Sequence, residues 1–318
     1  MRWSAKCFSA RTGWRAVCDS SIGKTGKECE VRARVVVLAA SACETVRILL
    51  NSKSAQFPEG LANSSGKVGR YLMDTVGSDV IGQVPLLESL PLHNEDGASG
   101  DHMYSPWWLY KEQLAGKLDF PRGYHIELYG GRKMPSINTA AGLEWLTGGS
   151  YGRKFKEDAR RYYGSIVGFS GRGEMIPNDR SYCDIDPTVK DKWGIPVLRF
   201  HWQWSEHETR QAAHMQKTFA AIIEEMGGRV RGEVVTDGAK AIAPGGSIIH
   251  EVGGAIMGSD ARRSVTDSWG STWDVKNLFI TDGAVFASNA DKNPTLTIMA
   301  LAWRSADRIL DLMRRKEI

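Results

Sequence analysis

The sequence is poor in cysteine. Five cysteines occur in 318 residues, with no Cys-x-x-Cys pair and no zinc-ligand spacing. We therefore expect no metal site, and we interpret the cysteines as reduced thiols in a reducing, cytoplasmic compartment. For one pair there is an alternative, in which Cys18 and Cys29 face each other across a hairpin.

Long apolar runs and basic blocks are also missing. No apolar run approaches the ~18 residues that a membrane span needs, and the first six residues lack the apolar core of a signal peptide. The net charge is +4 and no Lys/Arg block occurs. Because a nucleic-acid footprint needs clustered positive charge, we expect neither a membrane span nor nucleic-acid binding.

The third absence is a glycine-rich nucleotide loop. No Gly-x-Gly-x-x-Gly occurs, and Gly171-Arg172-Gly173 lacks both the third glycine and a strand-to-helix context. This excludes a nicotinamide-dependent dehydrogenase with the usual fingerprint. Metal binding by His207 and His214 is not expected either, since neither a carboxylate nor a third histidine completes a ligand set.

Strands and helices alternate at both ends of the sequence. Val35–Ala40 is a continuous apolar run, which is typical of a strand buried on both faces. Ser41 and Glu44 have the spacing of a capping box at the start of a helix. Small residues in this turn suit the close approach of an anionic group to a helix N-terminus; the alternative is that they only allow helix and sheet to pack.

The middle of the chain has a different character. Several strands, many aromatic residues and few helices favour an antiparallel sheet. One long helix begins at a second capping box, Ser205 with Glu208, and ends at Gly227. The fold class expected is α/β, with α+β character in a second lobe, and three segments: 1–78, 79–245 and 246–318.

Three features near the end of the chain carry chemistry. His250 precedes a Gly-Gly turn, Asp282-Gly283 follows a short apolar strand, and Asn293-Pro294 opens the last helix. A histidine suits the removal of a proton from a hydroxyl, and an amide at a helix N-terminus suits hydrogen bonding to an oxygen. The alternative is that His250 is a loop histidine and Asn293 a simple N-cap. The last helix is apolar on most sides from Leu296 to Leu312, which predicts an internal helix.

Together these motifs resemble the C-terminal pattern of the glucose-methanol-choline family of FAD-dependent oxidoreductases, in the branch of gluconate dehydrogenases and pyranose oxidases. The segments that carry the resemblance are His250-x-x-Gly253, Val275–Gly283 and Asn293–Thr297. Upstream, Val35–Asn51 and Gly66–Asp74 are similar to family landmarks. The resemblance implies an incomplete FAD-binding Rossmann-like domain (1–78 and 246–318) and an antiparallel-sheet substrate domain (79–245).

The resemblance also implies roles for single residues. His250 would take the hydroxyl proton, Asn293 would hydrogen-bond the substrate oxygen, and a hydride would pass to the flavin N5. The residues expected to line the FAD site are Ala40, Ser41, Asp282, Gly283, Asn293, Pro294 and Thr295. Aromatic residues of the middle segment suit a sugar or polyol, because sugar faces stack on aromatic rings. A re-oxidising electron-acceptor protein is a further expected partner.

The sequence departs from the family pattern in four places. Ala40-Ser41 stands for the usual Ala-Gly, Ala255–Gly258 for Thr-x-Arg-Met-Gly, and Asp74-Thr75 for Asp-His. The fourth departure is the absent glycine-rich FAD motif. We therefore expect a C-terminal fragment, an incomplete gene model or half of a split enzyme, with an exposed sheet edge. An inactive remnant that only binds another protein is the alternative.

Overall fold

The computed structural model describes residues 6–9, 16–21, 28–90, 103–130 and 143–318, with side chains from residue 33 onward. The chain divides into two compact units. The first comprises residues 1–75, 175–203 and 245–318, and the second comprises 76–174 and 204–244. Residues 175–203 therefore group with the first unit, although the sequence analysis placed them in the middle segment. Assignment of the units to cofactor and substrate stays a prediction.

Within the described residues, the first unit has three small sheets and two long helices. A three-stranded antiparallel sheet is formed by β1 (Lys6–Ser9), β2 (Ala16–Ser21) and β3 (Glu28–Ala33). A parallel pair is formed by β4 (Val36–Leu38) and β12 (Leu278–Ile280), and an antiparallel hairpin by β9 (Tyr182–Lys190) and β10 (Pro196–His201). The helices are α1 (Ala42–Asn51) and α6 (Thr295–Arg314).

The register of β2 and β3 settles one alternative. Cys18 lies opposite Val31, and Cys29 lies opposite Ser20. The idea that Cys18 and Cys29 face each other across the hairpin is therefore wrong, because the strands pair two residues away from the register that it needs.

The second unit is an antiparallel sheet covered by a helix. The strand order is β11-β5-β8-β7-β6. The strands are β5 (Val76–Gln83), β6 (Met103–Ser105), β7 (Tyr124–Gly130), β8 (Ile166–Gly173) and β11 (Arg229–Val230). The helices are α2 (Tyr110–Leu114), α3 (Gly152–Tyr162), α4 (Glu206–Glu225) and α5 (Gly238–Ala241).

Helix α4 follows the sequence prediction closely. Ser205 and Glu208 form the expected capping box, and Gly227 has φ +68° beyond the helix end. Its apolar face, with Met215, Phe219 and Ile223 buried, forms the core with the strands. Gly171 and Gly173 of β8 allow this close packing: a Cβ at Gly173 would lie 1.8 Å from Gln211 Oε1 and one at Gly171 2.4 Å from Met215 Sδ. The glycines of this motif therefore serve helix–sheet packing.

Two burial predictions for the first unit are wrong. Val36 and Leu38 of β4 are buried but Val37 is 47% exposed, so the strand is covered on one face. Helix α6 packs through Leu312 against Phe279. The side of α6 that lies opposite Leu312 is exposed, and it carries Leu296, Met299, Trp303 and Leu310. The described residues of the first unit provide packing for one side of this helix, and apolar composition alone does not show how many sides are covered.

Candidate active site

The predicted base and the predicted hydrogen-bond donor lie together. Asn293 precedes α6, and its amide nitrogen is 3.3 Å from Nε2 of His250. His250 is half-buried, whereas Asn293 is exposed. The helix begins at Thr295 with Pro294 as N-cap, one position later than predicted. The Asn293 amide therefore contacts the imidazole, and the simple N-cap alternative is wrong.

A buried carboxylate holds the His250 loop in place. Asp74 Oδ1 accepts hydrogen bonds from the backbone N–H groups of His250 (3.1 Å) and Thr75 (2.8 Å). Its Oδ2 accepts from the N–H of Gly246 at 3.1 Å. Burial raises the pKa of Asp74, the charge of Glu251 raises it further, and these three N–H groups oppose the shift. Asp74 thus ties residues 246–250 to the segment that precedes β5.

The glycine after this histidine is required by sterics. Met73 and Val252 exchange backbone hydrogen bonds of 2.8 and 2.9 Å, which brings the chain close to Tyr71. Gly253 has φ +86°, and a Cβ there would lie 2.2 Å from the carbonyl oxygen of Tyr71. Only glycine combines this φ with this approach. The His-x-x-Gly spacing therefore fixes where the His250 backbone lies.

Asp282 connects the ends of the two parallel strands. Its carboxylate accepts hydrogen bonds from the Thr45 hydroxyl, from the N–H of Ala284 at 2.9 Å, and from the N–H groups of Ala40 and Ser41. Burial raises the pKa of Asp282, and these donors oppose that shift. Through these hydrogen bonds the carboxylate connects the turn after β4 with the turn after β12.

The two clusters are joined by the backbone. The N–H of Gly253 donates to the carbonyl of Gly283 at 2.9 Å. The structure therefore brings together Ala40, Ser41, Asp282 and Gly283 through Asp282, and His250 with Asn293 through their side chains. Pro294 and Thr295 follow Asn293 directly at the start of α6.

This part of the chain is also recognisable by comparison. Residues 177–302 match the family model described as GMC oxidoreductase. A 2-methyl-1,2-propanediol dehydrogenase of Mycolicibacterium austroafricanum is 31% identical over 287 residues, which are 90% of this chain and 49% of that protein. The large subunit of fructose dehydrogenase from Gluconobacter japonicus is 30% identical over 289 residues, 90% of this chain and 48% of that protein.

This chain carries a GMC oxidoreductase C-terminal domain. A solved structure of Aspergillus oryzae formate oxidase agrees in fold, with a TM-score of 0.57 and 13% identity over 95% of this chain and 58% of that one. The resemblance to the glucose-methanol-choline family and the α/β fold class are thereby confirmed. The chain spans about half the length of the two curated relatives.

GMC oxidoreductases depend on FAD, and the residues present in the GMC domain fit such a group. Asn289, between Gly283 and Asn293, is 2% exposed, and neither atom of its side-chain amide has a partner in the described part of the chain. A buried amide without a partner costs free energy unless a ligand or water satisfies it. The first turn of α6 contains no acidic residue and no side-chain cap, so its N–H groups suit an anionic ligand.

The turn after β4 keeps a glycine conformation although serine occupies it. Ser41 has φ +82° and ψ +161°, a region that is essentially restricted to glycine. The backbone thus adopts a glycine-type conformation at the place where the family resemblance leads one to expect glycine. The predicted capping box of Ser41 with Glu44 is wrong, because the Ser41 side chain makes no cap hydrogen bond and Asp282 accepts the N–H groups of the turn.

Replacing Ser41 with glycine is expected to stabilise the chain by about 1 kcal/mol, because glycine relieves a strain of roughly 1–3 kcal/mol and loses more backbone entropy on folding. Ser41→Ala, which keeps the strain, is the matched control and should change the free energy of unfolding by less than about 0.5 kcal/mol. Urea unfolding of both variants checks this. Equal stability of Ser41→Gly and Ser41→Ala would contradict the strained conformation.

Sequence reasoning missed three residues of this region: Asp74, Thr75 and Asn289. Asp74 and Thr75 were noticed only as part of a family landmark, and the contact of Thr75 Oγ1 with His250 Nδ1 at 3.1 Å spans 175 positions. No pattern among neighbouring residues in the sequence predicts a contact between such distant positions. Asn289 carries no motif at all, and only its burial distinguishes it.

The aromatic residues of the middle segment that suggest a sugar substrate belong to both units. Trp108 and Trp204 pack against the core of the second unit, and the Trp107 indole donates to Gln113 at 2.7 Å. Trp202 belongs to the first unit, where it lies against Gly245. His125 and Tyr129 alternate along β7 with residues of the core. Of the seven residues of this set, which also includes Tyr110, only Trp202 lies outside the second unit.

The sheet face that bears His125 is polar. His125 Nε2 lies 3.2 Å from Glu127 Oε1, and Tyr104 stacks on the His125 ring at 5.0 Å. Burial alone raises the pKa of Glu127, but hydrogen bonds from His125 and Tyr104 and the charge of Arg172 outweigh it and lower the pKa to about 2. Glu127 is therefore ionised at neutral pH and acts as a hydrogen-bond acceptor.

In the ranges that the structure describes, no three His, Cys, Asp or Glu side chains are grouped so as to hold a metal ion. None of the helices in those ranges combines the length and hydrophobicity needed to cross a membrane.

Proposed function

We propose that this chain forms the reaction half of an FAD-dependent oxidoreductase acting on CH–OH groups. The observation that carries the proposal is the His250–Asn293 pair at the N-terminus of α6. Relatives named as dehydrogenases of a diol and of fructose support an alcohol or sugar as substrate. A reducing, cytoplasmic location and an electron-acceptor protein remain part of the proposal.

Each of these residues has a separate role in the proposed oxidation of an alcohol. His250 Nε2 removes the hydroxyl proton of the alcohol, and the Asn293 amide donates a hydrogen bond to the same oxygen. A bound FAD would supply the acceptor for the hydride that leaves the carbon, so that the alcohol becomes a carbonyl compound. Asp74 and Gly253 fix the loop of His250, while Asp282 fixes the turn of Ala40 and Ser41.

The residues that would hold the cofactor are those around the open helix end. Pro294 and Thr295 begin α6, Gly283 follows the end of β12, and Ser41 follows the end of β4. Carboxyl ends of parallel strands are the usual place for such ligands. Asn289 is added to this set because its amide is buried without a partner among the described residues.

A sugar or polyol is the substrate class that we propose. The support within the second unit is the exposed ring of Tyr104, which stacks on the buried His125 beside Glu127. Sugar faces stack on aromatic rings of this kind. Turnover of simple aliphatic alcohols with sugars inert would contradict this class.

A second candidate function is favoured by the exposed stripe of α6. Leu296, Met299, Trp303 and Leu310 form an exposed apolar stripe along one helix of the first unit, and such surfaces mark interaction sites. In this alternative the chain is inactive or half of a split enzyme, and it functions only with a partner chain or serves in protein interaction alone.

One experiment separates these functions. The chain, purified alone, is expected to bind FAD poorly, since it contains no glycine-rich pyrophosphate loop. Addition of a separately expressed Gly-rich FAD-binding half from a relative should restore FAD binding and permit flavin reduction by a sugar under anaerobic conditions. A yellow, stoichiometrically flavinated preparation of the chain alone would refute the first expectation. Complex formation without flavin reduction would favour the interaction role.

A further inference from the structure

The inference concerns Thr75, which occupies the position where the family resemblance leads one to expect histidine. Its Oγ1 lies 3.1 Å from Nδ1 of His250, and Asn293 Nδ2 lies 3.3 Å from Nε2 of the same ring. The two imidazole nitrogens thus face two different side chains. Their chemistry decides where the ring carries its proton.

An amide nitrogen only donates hydrogen bonds, so the nitrogen that faces Asn293 must accept. In a neutral imidazole the other nitrogen then carries the hydrogen. Nδ1–H of His250 therefore donates to the Thr75 hydroxyl oxygen, which is able to accept. This places the lone pair on Nε2, the atom that the proposed reaction uses.

Thr75 is held firmly enough to impose this choice. It is fully buried, and its backbone N–H donates to the same Asp74 oxygen that accepts the N–H of His250. One carboxylate oxygen thereby fixes both backbones. Because Thr75 is also β-branched, its side chain has few rotamers, and its hydroxyl is kept beside the ring.

The arrangement suits both states of the ring. When Nε2 takes a proton, both ring nitrogens become donors, and Thr75 Oγ1 still accepts from Nδ1–H. No change of hydrogen-bond direction is needed on this side during proton transfer. A hydroxyl also adds no charge, so it orients the ring without forming an ion pair with it.

We propose that Thr75 is a positioning residue for His250: its hydroxyl oxygen accepts the Nδ1 proton and so keeps Nε2 as the acceptor of the ring. The value of this contact for catalysis rests on the proposed function. The contact itself belongs to the chain alone and is measurable without FAD.

The test is the tautomer of His250 in the chain labelled with 15N-histidine, observed by two-bond 1H–15N correlation spectra at a pH where the ring is neutral. His250→Asn identifies its signals among the seven histidines. Wild type is expected to show the Nδ1–H form. Thr75→Val, which has the same shape without the hydroxyl, should shift the tautomer ratio about tenfold toward Nε2–H, the change that one net hydrogen bond produces. Thr75→Ser is the matched control and should keep the wild-type ratio.

Activity gives a second, separate readout. In the flavin-loaded complex, Thr75→Val should lower the rate of flavin reduction about tenfold, and Thr75→Ser should restore it to within about twofold. An Nε2–H form in wild type, or an unchanged ratio in Thr75→Val, would overturn the role of Thr75. The wild-type spectrum decides this even if the valine variant fails to fold. A shifted ratio with unchanged flavin reduction would instead overturn His250 as the base, and with it the proposed function.

Discussion

His250→Gln is expected to lower the rate of flavin reduction by an alcohol about 10²–10⁴-fold, the usual contribution of a positioned general base. Glutamine is similar in size and polar, but it has no basic nitrogen for the hydroxyl proton. Asn293→Ala should cost about 10²–10³-fold, because it removes a hydrogen-bond donor to the developing oxyanion. Stopped-flow measurement of flavin reduction in the assembled, FAD-loaded complex checks both values.

The matched control is His207→Gln. His207 is exposed at the start of α4 in the second unit, and its backbone N–H donates to the Ser205 hydroxyl at 3.3 Å. Since glutamine keeps that N–H, flavin reduction should stay within about twofold of wild type. If the rate of flavin reduction fell by less than about tenfold in His250→Gln with FAD fully bound, His250 would not be the base.

Asp282→Ala is expected to destabilise the chain by about 3–4 kcal/mol. The buried Asp282 carboxylate accepts from Thr45, from Ala284 and from the turn at Ala40 and Ser41. Alanine leaves the buried Thr45 hydroxyl and the buried N–H of Ala284 without this acceptor, at about 1–3 kcal/mol for each that stays unsatisfied. Differential scanning calorimetry is the suitable measurement, because a chain of two units need not unfold in one transition.

Two further variants locate the cause of this loss. Asp282→Asn keeps the shape and one acceptor oxygen, so its loss should be about half as large. Asp260→Ala removes a half-exposed carboxylate that pairs with the exposed Arg262 close to it in the chain, and it should change stability by less than about 0.5 kcal/mol. Unchanged stability of Asp282→Ala would contradict its role as a connector of the two strand ends.

Local patterns in the sequence predicted the parts of the fold that local forces determine. The capping box of Ser205 with Glu208 and the stop at Gly227 were predicted correctly, because a cap satisfies N–H groups within one turn of the same helix. The same spacing at Ser41 and Glu44 failed. There Asp282, far along the chain, accepts the N–H groups of the turn, and a tertiary contact replaces the local one.

Burial was the property least accessible from composition. The apolar residues of α6 and β4 predicted coverage on all sides, yet Trp303 is 74% exposed and Val37 47%. The hydrophobicity of a side chain shows how much free energy its burial would contribute. Which of the apolar side chains are in fact buried depends on the helices and strands that pack beside them.

The sequence by itself determined the family resemblance and named His250 and Asn293, the two residues that we propose for proton transfer and hydrogen bonding. Only the tertiary structure decided how His250 is held, by Asp74 and by the Thr75 hydroxyl across 175 positions, and how the two parallel strand ends are joined, by the Asp282–Thr45 contact across 237 positions. The physical reason is that a motif records the chemistry of neighbours in the chain. The orientation of an imidazole depends on donors and acceptors that folding brings from distant segments.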